Sequence, residues 1–193
     1  MSAITKRALE ASLKKLLLTK PLDKITISDI TDDCGVNRMT FYYHFKDIYD
    51  LVDWVMQNDA AVAINGMKTY ETWQKGFLSI FNHISENKTF FLNVYKCVSR
   101  EQVEGYLYKL TYDLLMGVIE EQSVGMHVRQ EDKAFMADFY KYGFVGLVLS
   151  WIKEGMKKDP SEIVKKLNTL ILGDLKLALK RFESEDISSL DYK

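Results

Sequence analysis

Apolar residues recur at three- and four-residue spacing along most of this chain, and only two prolines, Pro21 and Pro160, interrupt its 193 residues. Leu9, Leu13, Leu16 and Leu17 make one such stripe, and Ile48, Leu51, Val52 and Val55 a second. Trp73, Phe77, Ile80, Phe81 and Ile84 make a third, and Val103, Leu107, Leu110 and Leu114 a fourth. That spacing is one face of an α-helix. Two prolines and ten glycines leave few places for the turns of a β-fold. The chain is therefore predicted to be all-α. Even "KTFFLNVYKCV", rich in aromatic and β-branched residues, has no hairpin partner and is predicted as a short helix.

The first sixty residues have their own punctuation. Pro21 ends the first helix, because the residue before a proline is pushed out of the α region. Thr26 is a good N-cap and Asp29, three residues on, completes a capping-box pattern for a helix over 27–34. Gly35 stops that helix by supplying a left-handed position. Asn37 then caps a helix running to about His44, and Asp47 caps a fourth. Two short helices joined by a tight turn containing Gly form a helix-turn-helix pattern.

The composition of "GVNRMTFYYHF", residues 35–45, fits that reading. The second short helix of such a unit lies in the DNA major groove. Phe41 and Phe45 are expected to turn inward. Tyr42, Tyr43 and His44 carry flat rings with polar tips that reach phosphates or base edges. Arg38 suits a guanine or a phosphate. Thr40 offers a hydroxyl to phosphate and a methyl to thymine. Thr26 and Ser28 lie at a helix N-terminus, where free backbone N–H groups favour phosphate. The expected DNA contacts are Thr26, Ser28, Asn37, Arg38, Met39, Thr40, Tyr42, Tyr43, His44 and Lys46. The 26 Lys and Arg against 27 Asp and Glu leave a formal charge of −1. Any positive surface is then local, unlike that of a protein coating nucleic acid without preference.

"ITISDITDDCGVNRMTFYYHFKDIYDLV" resembles the DNA-binding segment of TetR-family transcriptional regulators. The matching positions are the turn Cys34-Gly35-Val36-Asn37, then Thr40, Tyr42 and Phe45, then Leu51. The resemblance implies that Thr40, Tyr42 and His44 lie at the DNA surface. It departs at one place. The family carries a phosphate-binding lysine at the start of the fourth helix, where this chain has Ile48; Lys46 is the nearest substitute.

Downstream, a helix over 131–154 is expected to end at Gly155. Asp159-Pro160-Ser161-Glu162 starts a last helix carrying Ile163, Leu167, Leu170, Ile171 and Leu175. "FYKYGFVGLVLSWIKEGMKKDPSEIVKKL" resembles the C-terminal region of regulators of dihydroxyacetone kinase operons, through Tyr142, Gly146, Trp151, Gly155 and Pro160, with Gly143 adding a small residue. By that resemblance the last two long helices form a homodimer's four-helix bundle. The expected interface is Tyr142, Gly143, Gly146, Leu147, Ser150, Leu167, Leu170 and Asp174. Trp73, Phe77, Phe81, Tyr95, Tyr106 and Tyr112 are candidates for lining an effector pocket.

The expected organisation is a DNA-binding domain over 1–50, an effector and dimerisation domain over 51–183, and a fraying tail over 184–193. The expected function is a sequence-specific regulator, a repressor, acting as a homodimer on a palindromic operator and answering to a small-molecule or protein effector. The alternative is an activator or interaction module that depends on a partner protein and has a weakened helix-turn-helix. The sequence holds no Gly-rich phosphate loop, nucleophile motif or cofactor signature, so it does not read as an enzyme. Cys97, His83 and His127 lack metal-ligand spacing. No apolar run reaches the ~18 residues of a membrane span. Cys34 and Cys97 read as reduced thiols of a cytoplasmic protein.

Overall fold

A short helix survives in water only when something outside it holds its inner face, since the first turn fixes several residues for one hydrogen bond. The computed structural model shows how this chain meets that condition. It describes residues 2–64, 66–97, 100–171 and 173–184. Those residues form ten α-helices and one 3-10 turn. The expected tail lies outside them, except for Ser184.

The helices are α1 (Ser2–Leu16), α2 (Ile27–Cys34), α3 (Arg38–His44), α4 (Ile48–Ile64), α5 (Trp73–Glu86), α6 (Lys88–Cys97), α7 (Arg100–Gln122), α8 (Gln130–Lys153), α9 (Pro160–Ile171) and α10 (Asp174–Ser184), with the 3-10 turn at Leu22–Lys24. They divide into two compact units, 1–62 with 83–106 and 63–82 with 107–193. α6 and the start of α7 group with the N-terminal helices.

In the first unit, Leu9, Leu13 and Leu17 of the α1 stripe are buried, and so are Ile30 of α2, Phe41 and Phe45 around α3, and Leu51, Val52 and Val55 of α4. Ser12 donates from this same face of α1 to the carbonyl of Ile30 at 3.0 Å, tying α1 to α2 inside the core. Leu16 and Ile48, on the predicted apolar stripes, are only half-buried, and so are Ile27 and Cys34.

In the second unit, aromatic rings make the centre. Phe77 and Phe144 have centroids 4.7 Å apart, Phe81 and Trp151 5.0 Å, and Trp73 and Phe144 5.8 Å. Trp151 donates its indole N–H to the Lys158 carbonyl at 2.9 Å, so its one polar atom is satisfied. The turn before α5 passes close to two helices. A Cβ added at Gly76 would lie 2.5 Å from the Met67 carbonyl oxygen, and one at Gly117 2.7 Å from that of Lys68. These glycines make room for backbone, a role the sequence did not reveal.

The expected single last helix is two helices. Gly173 has φ +84°, a left-handed conformation no helix interior accepts, and it separates α9 from α10. The backbone N–H of His127 then bonds the carboxylate of Glu183 at 2.9 Å, tying α10 to the turn before α8.

Gly76→Ala and Gly117→Ala are each expected to lower stability by about 1–3 kcal/mol, since backbone must give way. Gly105→Ala, on α7 with nothing within 4 Å of the added Cβ, is expected to raise it by about 0.4–1 kcal/mol. Urea unfolding of the three variants beside the wild type measures the contrast.

Candidate nucleic-acid interface

The site is built from two caps and two rings. Thr26 accepts the Asp29 backbone N–H at 3.1 Å, and the Asp29 carboxylate accepts the Thr26 backbone N–H at 2.9 Å, the reciprocal pair of a capping box. Lys20 approaches the other Asp29 oxygen at 3.0 Å. The Thr26 N–H, the Lys20 ammonium and the Thr26 hydroxyl together hold the Asp29 pKa down to about 2, against an ordinary 3.8. Gly35, at φ +71°, ends α2, and its N–H bonds the Thr31 carbonyl. Asn37 starts α3, its side-chain oxygen accepting both the Thr40 backbone N–H at 2.8 Å and the Thr40 hydroxyl at 2.9 Å.

These caps change what three of the expected contacts can do. The Thr26 hydroxyl donates to Asp29 at 2.9 Å, so it is already committed. A phosphate at the α2 N-terminus would also meet the Asp29 carboxylate. Ser28 beside it is half-buried. The Thr40 hydroxyl proton points to Asn37, which leaves Thr40 an acceptor and a methyl to offer, not the donor that was expected.

The rings set the orientation of α3. Phe41 is 0 % exposed and Phe45 3 %, and their centroids lie 5.9 Å apart. Phe45 also packs on Trp54 at 5.8 Å. With positions 41 and 45 inward, the opposite side faces out. There Met39 is 76 % exposed, Tyr43 82 % and Tyr42 48 %. Arg38 and Lys46 are exposed as well, and their side-chain charges form no ion pair among the described residues. His44 is half-buried, its ring edge-on to Tyr43 at 4.9 Å.

The second unit presents a different surface. On α8, Phe135, Phe139, Tyr142 and Leu147 are exposed. Gly143, Gly146 and Ser150 share this open side, and nothing lies within 4 Å of a Cβ added at either glycine. These glycines relieve no crowding within the chain. Leu170 is exposed on α9, Asp174 and Leu177 on α10. Leu167, expected to be part of the same surface, is instead buried. It lines the floor of an apolar groove of about 370 Å³ with Phe139, Tyr142, Gly143 and Ile171.

The six expected effector-lining residues are not gathered in either unit. Trp73, Phe77 and Phe81 are packed ring on ring in the second unit, and a ligand reaching them must part those contacts. Tyr112 lies beside Lys141, whose ammonium is 5.5 Å from its ring and also near Tyr108 and Tyr142. Tyr95 and Tyr106 belong to the first unit, both half-buried.

Residues 10–55 match the tetR family of bacterial regulatory proteins, and residues 71–173 match a transcriptional regulator C-terminal region. The HTH-type dhaKLM operon transcriptional activator DhaS of Lactococcus lactis subsp. lactis (strain IL1403) is 26% identical over 185 residues, covering 95% of each chain. The solved structure of a dihydroxyacetone kinase operon activator DhaS matches 94% of this chain and 99% of its own, at 25% identity and a TM-score of 0.70. A tetR-family transcriptional regulator from Streptomyces coelicolor shares the fold at 11% identity, with a TM-score of 0.63, over 96% of this chain and 93% of that one.

The cap on α2 carries a pH signature. A carboxyl whose pKa is lowered on folding stabilises the fold above its unfolded value, and loses that contribution as pH falls through the folded one. Stability is therefore expected to fall between about pH 4 and pH 2 partly through Asp29. Acid titration of Asp29→Asn should show a shallower decline over that window. Asn37→Ala should cost about 1 kcal/mol at neutral pH through the lost α3 cap.

Proposed function

Since the chain belongs to the TetR family of bacterial regulatory proteins, we propose that it reads a specific DNA sequence as a homodimer on a palindromic operator. It is a transcriptional regulator, as are the relatives it matches. The observation that carries the reading is the outward side of α3, where Arg38, Met39, Tyr42 and Tyr43 stand exposed on a helix anchored by Phe41 and Phe45. Large, mostly exposed side chains on a short helix held by buried rings are what base-edge contact requires. Lys46, the half-buried His44 and the Thr40 methyl flank that face. Asn37 and Thr26 set its frame from the two caps, with Ser28 in the first turn after Thr26. In this reading residues 1–50 read DNA, and residues 51–183 sense an effector and dimerise.

A single copy of such a helix covers a few base pairs, so two copies are needed for a specific site. The open face of α8, with Leu170 of α9, supplies the surface that would join them. Symmetric dimers use one patch twice. Gly143 and Gly146 would let the two copies of α8 approach closely, while Phe139, Tyr142 and Leu147 would be buried. An effector that prefers one spacing of the two reading heads shifts operator affinity by no more than its differential affinity for the two states. No catalytic step enters this reading, and its setting is the cytoplasm.

The direction of regulation is proposed to be activation. The 26%-identical relative is named an activator, and this outweighs the repression expected from the family alone. A second reading, dependence on a partner protein for DNA binding, is favoured by the acidic start of α4 with Ile48 in place of lysine.

Selection of bound duplexes from a random pool, near physiological salt, tests the proposal. Enrichment of a palindrome is expected. A folded dimer that enriches nothing would instead support the partner-dependent reading. Arg38→Ala and Tyr42→Ala should each weaken binding to the selected duplex by about 1–3 kcal/mol without loss of helix content. Leu147→Glu should sediment as a monomer; one that stays dimeric moves the interface off α8.

A further inference from the structure

The lysines and arginines between residues 2 and 62 fall into two sets. Lys14 is paired with Glu10 at 2.7 Å, Lys15 with Asp33 at 2.6 Å, Lys20 with Asp29 at 3.0 Å and Lys24 with Asp23 at 3.8 Å. The side-chain charges of Lys6, Arg7, Arg38 and Lys46 form no ion pair with a carboxylate among the described residues.

Lys6 differs from the others in that set, because its charge is held in place. Its ammonium lies 5.3 Å from the centroid of the Phe45 ring and 5.5 Å from that of Trp54. Aromatic rings attract a cation without cancelling its charge. Phe45 is the residue that closes α3, so this ammonium is stationed where the recognition helix ends.

The neighbouring start of α4 is hostile to phosphate. The Asp47 carboxylate accepts the Asp50 backbone N–H at 2.8 Å, and the Asp50 carboxylate accepts the Lys46 backbone N–H at 2.8 Å. Two of the backbone donors that could receive a phosphate there, those of Lys46 and Asp50, are taken by side-chain anions. Ile48 adds no charge. Lys46 is the one cation on the corner between α3 and α4 itself, so a second phosphate contact there must come from another element.

We infer that Lys6, reaching over from α1, makes the backbone-phosphate contact at that corner. It is a contact residue that Phe45 and Trp54 position: they orient the ammonium, and no carboxylate among the described residues neutralises it before DNA arrives. The inference rests on the DNA-binding reading above and adds a contact that no helix-turn-helix position supplies.

The test is a salt series with the full-length protein and a mixed-sequence duplex, where binding is nearly all phosphate contact. Each neutralised phosphate contributes about 0.9 to the slope of log affinity against log salt. Lys6→Met is expected to reduce the slope by about that amount. Its deficit relative to wild type should then shrink about 3.5-fold between roughly 50 and 200 mM salt. Lys6→Arg should keep the wild-type slope, and Ile48→Lys placed in the Lys6→Met chain should restore it. If Lys6→Met lowers affinity by the same factor at every salt concentration, or lowers only the unfolding midpoint, Lys6 merely packs the two rings and the inference is overturned. A wild-type protein whose duplex affinity ignores salt would remove the DNA-binding reading itself, and the inference with it.

Discussion

The burial of Phe41 and Phe45 is the contact on which the reading surface depends. α3 has seven residues, too few to hold itself together in water. Its inner side carries two rings at i and i+4, both almost fully buried. Each ring is worth about 1.5–3 kcal/mol of transfer from water, enough to offset the cost of nucleating one short helix. The Asn37 cap then fixes where that helix starts. Every outward side chain inherits its direction from these anchors, and Lys6 does so directly through the Phe45 ring.

Much of this was legible in the sequence because it is local. The capping box at Thr26 and Asp29, the left-handed Gly35 and the Asn37 cap each involve residues three or four apart, and the structure has them where the pattern indicated. α2 and α3 lie within the expected bounds for the same reason. What the sequence could not show depends on long-range packing. Nothing near Gly76 or Gly117 indicates that Met67 and Lys68 will press against them. Nothing near Lys6 indicates that two rings some forty residues away will hold its ammonium. The commitment of the Thr40 hydroxyl was in principle local, but a threonine three residues after an asparagine reads equally as a free contact.

α8 shows a different limit. It carries apolar residues on two sides. Phe144, Val145, Val148, Trp151 and Ile152 are buried within the unit, while Phe135, Phe139, Tyr142 and Leu147 are open. A helix apolar all round ordinarily reads as deep core. Periodicity alone cannot separate the two sides, and it could not tell that Leu167 lies beneath the surface and Leu170 upon it. The break at Gly173 was missed because α9 and α10 together imitate one continuous stripe.

The division of labour in α3 has a consequence for how such a protein diverges. The residues that make the helix are Asn37, Phe41 and Phe45; those that face outward are Arg38, Met39, Tyr42 and Tyr43. The sets do not overlap. Exposed positions outside the core tolerate exchange at little energetic cost, so a lineage can rewrite those four residues one at a time while the scaffold stands. A duplicated gene can thus acquire a new binding site without first passing through an unfolded ancestor.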